Sequence, residues 1–149
     1  MNKRAQAILD FWFKETPSEK RFKKDIVFDQ FSRNMFRENK KAFDQDHKTR
    51  LIVNDSVYAG FLEKMDESQR FFMLLPLIHS EEIIDHEMAY YLLDKYLKDH
   101  SGLSDIKKFW QDHTKVIRKF HRYPHRNKTL GRKSTPEEIE FLKGPNSSW

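Results

Sequence analysis

The sequence predicts an all-α fold built from antiparallel helix pairs. Only 4 Gly and 5 Pro occur in 149 residues, and so few turn-forming residues favour helices over many short strands. Apolar residues recur at helical spacing along most of the chain, whereas no useful run alternates with the period of a strand. Aromatic residues make up 14% and can form the core of one helical domain spanning residues 1–149.

Helices in the first half are predicted from apolar spacing and one start signature. The predicted segments are Ala5–Phe13, a helix beginning at Pro17, Ile26–Phe36 and Asn39–Phe61. Thr16 and Glu19 flank the start at Pro17 as a capping residue and a first-turn acid, which is typical of a helix N-terminus. Gly60 is expected to close the last of these helices.

Capping residues also organise the second half of the chain. Asp66 with Gln69 forms a capping box, and Pro76 is expected to interrupt the helix that follows. Ser80 is expected to cap a long helix that Gly102 closes. The predicted buried stripe of that long helix comprises Ile84, Met88, Tyr91 and Leu92.

The last two helices have the clearest patterns. Ser104 is expected to cap the first of them, and Thr135 with Glu138 forms a capping box for the second. The predicted buried stripe of the first comprises Ile106, Phe109, Trp110, His113, Val116, Ile117 and Phe120. The segment Pro124–Gly131 is predicted to be irregular, and residues 145–149 are expected to be a frayed tail.

Composition and spacing exclude several classes of protein. The chain has no cysteine, which excludes disulfide scaffolds, thiol catalysis and cysteine-ligated zinc and fits a reducing compartment. No signal peptide and no run of about 18 apolar residues occurs, so the expected location is the cytoplasm, with no membrane partner. No metal and no cofactor are predicted, because no metal-binding signature occurs and Pro124 separates His121 from His125.

The net charge of +5 is unevenly distributed. Ten Lys or Arg residues and one acid lie between Ile106 and Lys133, while the rest of the chain is net acidic. Such a segment binds either an anionic ligand or partner, or the acidic stretch Glu81–Asp94 of the same chain. Nucleic acid is not expected, because no known module matches and the acidic remainder weakens a phosphate footprint.

The densest polar constellation is the stretch Lys119–Arg132 within this basic region. Its candidate ligand-binding residues are Arg122, Arg126, Asn127 and Arg132, and His125 is a candidate acid/base. Arginine binds carboxylate or phosphate through two parallel hydrogen bonds, and histidine transfers protons near neutral pH. The alternative is that these side chains tie an irregular loop to neighbouring helices, since its backbone needs polar partners.

Two further polar blocks provide candidates of the same kind. The candidate ligand-binding residues in them are Asp29, Arg33, Asn34, Ser80 and Glu81. Asp29 and Arg33 are four residues apart and can form an ion pair on a helix. His79 is a second candidate acid/base because it directly follows an apolar run. Its adjacency to Ser80 is not the geometry of a catalytic triad, and a helix cap is the simpler role for that serine.

The chain resembles the bacterial domain-of-unknown-function family 924. The matching blocks are Ile8–Phe13, Phe28–Arg37, Ala42–Asp46, Gln69–Phe72, Pro76–Glu81, Arg122–Asn127 and Gly131–Glu138. The resemblance covers most of the chain in order, and it implies a helical fold similar to tetratricopeptide superhelices. It implies no established activity, but the three polar constellations coincide with its signature blocks.

Two features depart from the family pattern. Members often carry Pro where this chain has Ser32. Members also carry a long helical stretch where only Lys14–Phe28 separates the first two blocks here, so about two helices are missing near Asp25–Ile26. If the protein is genuinely shortened, apolar surface on Trp12, Phe13 and Phe28 would need other cover, and a homodimer is one expected arrangement.

Two functions follow from these observations. The first is binding or acting on a small anionic ligand that bears phosphate or carboxylate. Arg33, Arg126 and Arg132 would hold such a ligand and His79 or His125 would serve as acid/base, which requires the three blocks to converge in one pocket. The alternative is a tetratricopeptide-like module that binds a peptide or protein without catalysis. Fold alone does not decide between them, and whether the protein is an enzyme stays open.

Overall fold

The computed structural model of the protein describes residues 17–36 and 38–148, with side chains from residue 22 onward. The helices are α1 (Pro17–Ile26), α2 (Ser32–Met35), α3 (Asp46–Tyr58), α4 (Glu67–His79), α5 (Ile83–Tyr96), α6 (Leu103–Phe120) and α7 (Pro136–Leu142). A π-helix, Val27–Phe31, joins α1 to α2, and 3-10 turns occupy Lys40–Ala42, Leu62–Lys64 and Pro124–Arg126. The described residues contain no strand, which confirms the all-α prediction. The predicted helix Ala5–Phe13 lies outside them.

The first helical stretch runs without a break from Pro17 to Met35. It starts where the sequence predicts, because the proline ring presets the backbone angle that the first turn requires. The helix predicted from Ile26 is a continuation of α1 through the π-helix and not a separate element. The junction of α1 with the π-helix is also the place near which helices were expected to be missing. Phe28 is half-buried there and packs against the core.

The core forms around α4, which packs against α1, α3, α5 and α6. Its fully buried large side chains include Leu62, Met73, Leu74, Leu77, Ile78, Leu92, Leu93, Leu97 and Trp110. Phe22 and Phe28 cover one side of this core from the first helical stretch. A smaller cluster of Val116, Ile117 and Tyr123 lies under the segment that follows α6. The two clusters bracket the C-terminal end of α4, where the polar candidates meet.

Pro76 does not interrupt α4, so that prediction is wrong. The helix continues through the proline to His79. Every residue from Met73 to Ile78 is buried, and this packing outweighs the one backbone hydrogen bond that proline removes. The unbroken helix carries His79 to the end of the core.

The predictions for α5 are wrong in its start, in its end, which is Tyr96 and not Gly102, and in part of its buried face. The helix begins at Ile83, and the Ser80 hydroxyl instead accepts a hydrogen bond from the Glu82 backbone at 3.0 Å. Ile84 and Tyr91 are 65% and 67% exposed, although Leu92 is buried as predicted. The buried face includes the polar His86, whose Nε2–H donates to the Ser80 carbonyl at 2.9 Å and whose Nδ1 lies 2.9 Å from the Thr114 hydroxyl. A search for apolar residues alone therefore misplaces this face.

The predicted stripe of α6 is confirmed, since its members are buried or packed against the two clusters. Gly102, and not Ser104, occupies the N-cap position, and no side chain caps this helix. The predicted start at Asn39 is also wrong, because residues 40–42 form a 3-10 turn and α3 begins at Asp46. Gly60 follows α3 with a φ of +67°, a conformation that glycine adopts without strain.

Both predicted capping boxes are present. Asp66 accepts a hydrogen bond from the Gln69 backbone at 2.8 Å, and the Gln69 side chain accepts one from the Asp66 backbone at 3.1 Å. Thr135 and Glu138 form the same reciprocal pair at the start of α7. Each box satisfies two backbone N–H groups that would otherwise lack partners at a helix N-terminus.

Replacing Asp66 by alanine should lower the free energy of unfolding by about 1 kcal/mol, because it removes an N-cap hydrogen bond. Ser104→Ala is the matched control, since this serine is exposed and caps nothing, and its effect should stay within about 0.5 kcal/mol. Urea unfolding followed by circular dichroism measures both. Equal losses in the two variants would show that the capping assignment is mistaken.

Candidate functional site

The first part of the candidate site is an aspartate–histidine pair that joins the π-helix to the end of α4. Asp29 lies in the π-helix and is buried, and its two carboxylate oxygens lie 2.9 and 3.0 Å from Nδ1 of His79. Arg33, one turn later, donates its Nε–H to the same carboxylate at 3.0 Å. The pair thus fixes the imidazole through Nδ1 and leaves Nε2 as the nitrogen available for chemistry.

The second part is a pair of arginines that share one carboxylate. Arg33 donates from Nη2 to Asp46 at 3.0 Å, and Nη1 of Arg126 lies 3.6 Å from the other oxygen of the same carboxylate. Arg126 also donates from Nη2 to the backbone carbonyl of His79 at 2.8 Å. Residues from four separate parts of the chain therefore form one cluster, named here the charge cluster: Asp29, Arg33, Asp46, His79 and Arg126.

Aromatic rings enclose the arginines of the charge cluster. The Arg126 guanidinium lies 4.4 Å from the ring centre of Tyr123 and 4.8 Å from that of Phe43. Arg33 lies over the same Phe43 ring at 5.4 Å. Stacking on aromatic faces is favourable for a guanidinium and restricts it to one orientation. Tyr123 is itself fixed, since its hydroxyl donates to the Ile78 carbonyl.

Burial and mutual attraction set the pKa values in the charge cluster. Burial would raise the pKa of Asp29, but His79 and Arg33 hold that pKa well below its usual value. Burial raises the pKa of Asp46 in spite of the two guanidiniums beside it. Burial, together with the charge of Arg33, lowers the pKa of Arg126 to about 10. Opposite charges therefore alternate around the cluster, which is the arrangement that allows them to be buried together.

Two histidines next to the charge cluster are held uncharged. Burial, together with the charge of Arg126, lowers the pKa of His113 to about 3 and that of His125 to about 4. His125 lies against Tyr123, with ring centres 5.5 Å apart. Its role as an acid/base was predicted from sequence, but a pKa of about 4 is poorly matched to proton transfer near neutral pH. His79 is therefore the better placed of the two candidates.

Asp25 is a buried carboxyl group beside the charge cluster. It is fully buried, and neither carboxyl oxygen has a hydrogen-bond partner among the described residues. Burial raises the pKa of Asp25 well above its usual value, and the negative charge of Asp29 raises it further. The group is therefore stabilised in its neutral form.

Several predicted ligand-binding residues instead hold the loop between α6 and α7 in place. Arg132 makes two hydrogen bonds to Glu81, at 2.6 and 2.9 Å, and donates from Nε to the Asn127 side chain at 3.0 Å. Arg122 makes two hydrogen bonds to Glu138, at 2.6 and 2.8 Å. The alternative that these groups tie the loop to neighbouring helices thus describes their contacts in this structure.

The remaining candidates make local contacts. Ser80 donates to Asp85 at 2.5 Å and belongs to the turn between α4 and α5. Asn34 is exposed and donates to the Gln30 carbonyl one turn earlier. Of the predicted site residues, the structure brings together Asp29, Arg33, His79 and Arg126, with His125 beside them. Their roles toward a ligand remain predictions.

Two members of the site were not selected from the sequence. Asp46 bridges both arginines, and Phe43 lies under both guanidiniums. Both fall in the family block Ala42–Asp46, and that block is the feature of the sequence that could have indicated them. Only the tertiary structure shows which carboxylate faces which arginine.

The acidic stretch and the basic segment do contact each other. Glu81 binds Arg132, and the carboxylate of Asp94 lies 3.3 Å from the ammonium of Lys107. Part of the charge asymmetry therefore serves intramolecular docking. No group of three histidine, aspartate or glutamate side chains able to hold a metal occurs in the described ranges 17–36 and 38–148. In the same ranges, every helix is too short or too polar to cross a membrane.

The neutral histidines predict a decline in stability on acidification. A histidine with a lowered folded pKa binds its proton mainly in the unfolded state, so stability falls as the pH drops from about 6.5 toward the folded pKa. For His113 the loss is about 1.4 kcal/mol per pH unit down to pH 4. His113→Gln should therefore flatten the dependence of unfolding free energy on pH by that amount, measured by urea unfolding between pH 4 and 6.5. His47→Gln, on the exposed face of α3, is the control, and parallel curves for wild type and His113→Gln would refute the assignment.

The arrangement can be compared with known proteins. A family model described as a bacterial protein of unknown function (DUF924) matches residues 5–146. Among solved structures, a protein of unknown function from Agrobacterium tumefaciens is similar, with a TM-score of 0.76 and 30% sequence identity over 95% of this chain and 76% of that chain. No curated protein matches the chain. The chain belongs to the DUF924 family, as the resemblance of its signature blocks predicted.

Proposed function

We propose that the protein binds a small anionic ligand, bearing carboxylate or phosphate, at Arg126 and Arg33, with His79 positioned as acid/base. The observation that carries the proposal is the state of Arg126. Arg126 is only 6% exposed. Among the described residues, its guanidinium donates one hydrogen bond, to the backbone carbonyl of His79, and has one longer contact, of 3.6 Å, with Asp46. Its buried Nε–H has no partner among the described residues. A buried guanidinium with unused donors is costly unless a ligand completes it.

Asp46 is the group that such a ligand would replace. Its carboxylate already occupies the position of an anion between the two arginines, at 3.0 Å from Arg33 and 3.6 Å from Arg126. Its side chain is 22% exposed, more than any other member of the charge cluster, so it can turn toward solvent when a ligand arrives. The ligand carboxylate or phosphate would then accept the paired hydrogen bonds that an arginine guanidinium donates.

His79 supports a chemical role beyond binding. Asp29 fixes its Nδ1, and its side chain remains 14% exposed. A carboxylate on one imidazole nitrogen selects the tautomer and makes the other nitrogen the base, which is the arrangement that general acid–base catalysis uses. The π-helix that carries Asp29 is a further indication, because single π-turns occur frequently at functional sites.

A tetratricopeptide-like interaction module is the second candidate function. It is favoured by the exposed apolar side chains of α5, where Ile84 and Tyr91 lie two turns apart and are 65% and 67% exposed. Such a face suits a peptide or protein partner. It lies on a different element from the charge cluster, so the two functions can be separated by mutation.

Titration calorimetry with inorganic phosphate and with acetate tests the anion site. Arg126→Met should weaken binding at least about tenfold, because a charge-assisted hydrogen bond contributes about 1.5–3 kcal/mol. Asp46→Asn should strengthen binding, since it removes the competing negative charge. Opposite effects of two substitutions in one cluster cannot arise from general destabilisation.

Lys119→Met provides the matched control for loss of a cation. Lys119 is 54% exposed and paired with Glu137, away from the charge cluster, so its replacement should leave both affinities unchanged. Circular dichroism of each variant verifies folding. Absence of binding in the wild type, or equal weakening by all three substitutions, would exclude the anion site. If the wild type bound no anion but did bind a peptide, and Ile84→Asp abolished that peptide binding, the interaction module would be favoured.

A further inference from the structure

The charge cluster has a balanced set of charges. Arg33 and Arg126 carry the positive charges, and Asp29 and Asp46 carry an equal negative charge when all of these side chains are ionised. His79 adds a positive charge only when it is protonated. Asp29 is ionised at neutral pH, because His79 and Arg33 hold its pKa well below the usual value. Buried charges require such a balance, since a charge left without a partner is costly.

Displacement of Asp46 by a ligand would leave one positive charge in excess at the cluster. Asp29 stays in place, since it is only 1% exposed and its carboxylate is bound by Arg33 at 3.0 Å and by His79 at 2.9 Å. A ligand group with one negative charge restores the balance. A group with two negative charges would instead place an uncompensated charge beside the buried carboxylate of Asp29.

Three further ionisable side chains near the cluster do not offset a second negative charge. Burial and the charge of Asp29 raise the pKa of Asp25 well above its usual value, so this carboxyl group is neutral. Glu81 acts on Arg126 as a further negative charge, but it is paired with Arg132 through two hydrogen bonds, at 2.6 and 2.9 Å. That pairing also commits the charge of Arg132, the next arginine in the chain after Arg126.

Aromatic rings restrict the shape of the group that the arginines can bind. Phe43 and Tyr123 have their ring centres within 4.8 Å of the Arg126 guanidinium, and Arg33 lies over the same Phe43 ring. The face of an aromatic ring is negative and repels oxygen atoms that project toward it. A carboxylate is planar and accepts both hydrogen bonds in the plane of a guanidinium, whereas a tetrahedral group places further oxygens above and below that plane.

We infer that the ligand binds through a single carboxylate group, which takes the place of the Asp46 carboxylate, and that dianionic groups such as phosphate esters are rejected. This inference rests on the proposed anion site and specifies its substrate class, an organic carboxylate. Asp46 supports it directly, because a carboxylate already spans the two guanidiniums, at 3.0 Å from Arg33 and 3.6 Å from Arg126.

Titration calorimetry with three small anions, at neutral pH and constant ionic strength, tests the inference. Acetate is a planar monoanion, methanesulfonate a tetrahedral monoanion and sulfate a tetrahedral dianion, so the series separates shape from charge. Acetate should bind most tightly. Sulfate should bind at least about tenfold more weakly than methanesulfonate, because its second charge is uncompensated. Arg126→Met should weaken the binding of each anion.

Asp29→Asn separates the charge balance from a merely structural role. It removes one buried negative charge and keeps an oxygen that can accept from Arg33, so sulfate affinity should rise at least about tenfold relative to methanesulfonate affinity. A structural loss would weaken both anions alike and leave their ratio unchanged. Asp94→Asn is the matched control, because Asp94 is 70% exposed and paired with Lys107 outside the charge cluster, and it should keep the wild-type ratio.

His79→Gln places an uncharged side chain beside Asp29 and should keep the wild-type order of affinities. Sulfate binding as tightly as methanesulfonate, in the wild type or in His79→Gln, would overturn the inference, and weakening of both by Arg126→Met would show that the anion site still stands. Methanesulfonate binding as tightly as acetate, or an unchanged ratio in a folded Asp29→Asn variant, would also overturn it. If circular dichroism shows that Asp29→Asn does not fold, the wild-type series decides. Failure of acetate, methanesulfonate, sulfate and phosphate alike to bind would exclude the anion site itself, and the inference with it.

Discussion

Alternating charge in a buried setting is the constraint on which this part of the structure depends. Asp29, Arg33, Asp46 and Arg126 each face a residue of opposite sign, and each is at least partly buried. Removing one member would leave an uncompensated charge, which is far more costly than the pair itself is favourable. The cluster therefore fixes the relative positions of the first helical stretch, the start of α3, the end of α4 and the loop after α6. A fixed arrangement of this kind is also what a binding site requires.

Two arginine-containing systems can be distinguished among the described residues. The first is the charge cluster, in which the Nε–H of Arg126 has no hydrogen-bond partner among those residues. The second comprises Arg132 with Glu81 and Arg122 with Glu138, in which each arginine makes two hydrogen bonds to one carboxylate. These two-bond pairs leave the second system less donor capacity for a ligand. Partial pairing is what separates the first system from it, although both contain the same residue types.

Local signals in the sequence predict the helices well where a hydrogen bond within the helix decides the outcome. The capping boxes at Asp66 and Thr135 are examples. The apolar stripe of α6 is also predicted correctly, because its helical spacing stays regular along the whole element. The sequence fails where tertiary packing decides. Pro76 stays within α4 because it and its helix neighbours from Met73 to Ile78 are all buried in the core, and α5 buries His86 because hydrogen-bond partners outside α5 satisfy its imidazole.

The same division explains the candidate site. The three blocks that carry it are recognisable from residue type, and Asp29 with Arg33 follows from helical spacing. The assignment of partners does not follow, because nothing in the local sequence shows which carboxylate each of Arg122, Arg126 and Arg132 contacts. Only the folded structure shows that Arg132 pairs with Glu81 at 2.6 Å, whereas Arg126 lies 3.6 Å from the carboxylate of Asp46. Asp46 was not predicted as a site residue for this reason. Its place in the site depends on two arginines that lie 13 and 80 positions away in the sequence.

The π-helix between α1 and α2 sets the rotational phase of the site. A π-turn accommodates one residue more than an α-helical turn, and each residue rotates an α-helix by about 100°. The segments before and after Val27–Phe31 therefore keep separate phases: Phe22 points into the core on one side, and Arg33 points to Asp46 on the other. In a regular α-helix these two residues, eleven positions apart, would lie only about 20° apart around the axis. Asp25 is buried at the same junction and has no hydrogen-bond partner among the described residues. The extra residue of the π-turn therefore turns Arg33 away from the direction of Phe22, and the orientation of the charged face depends on it.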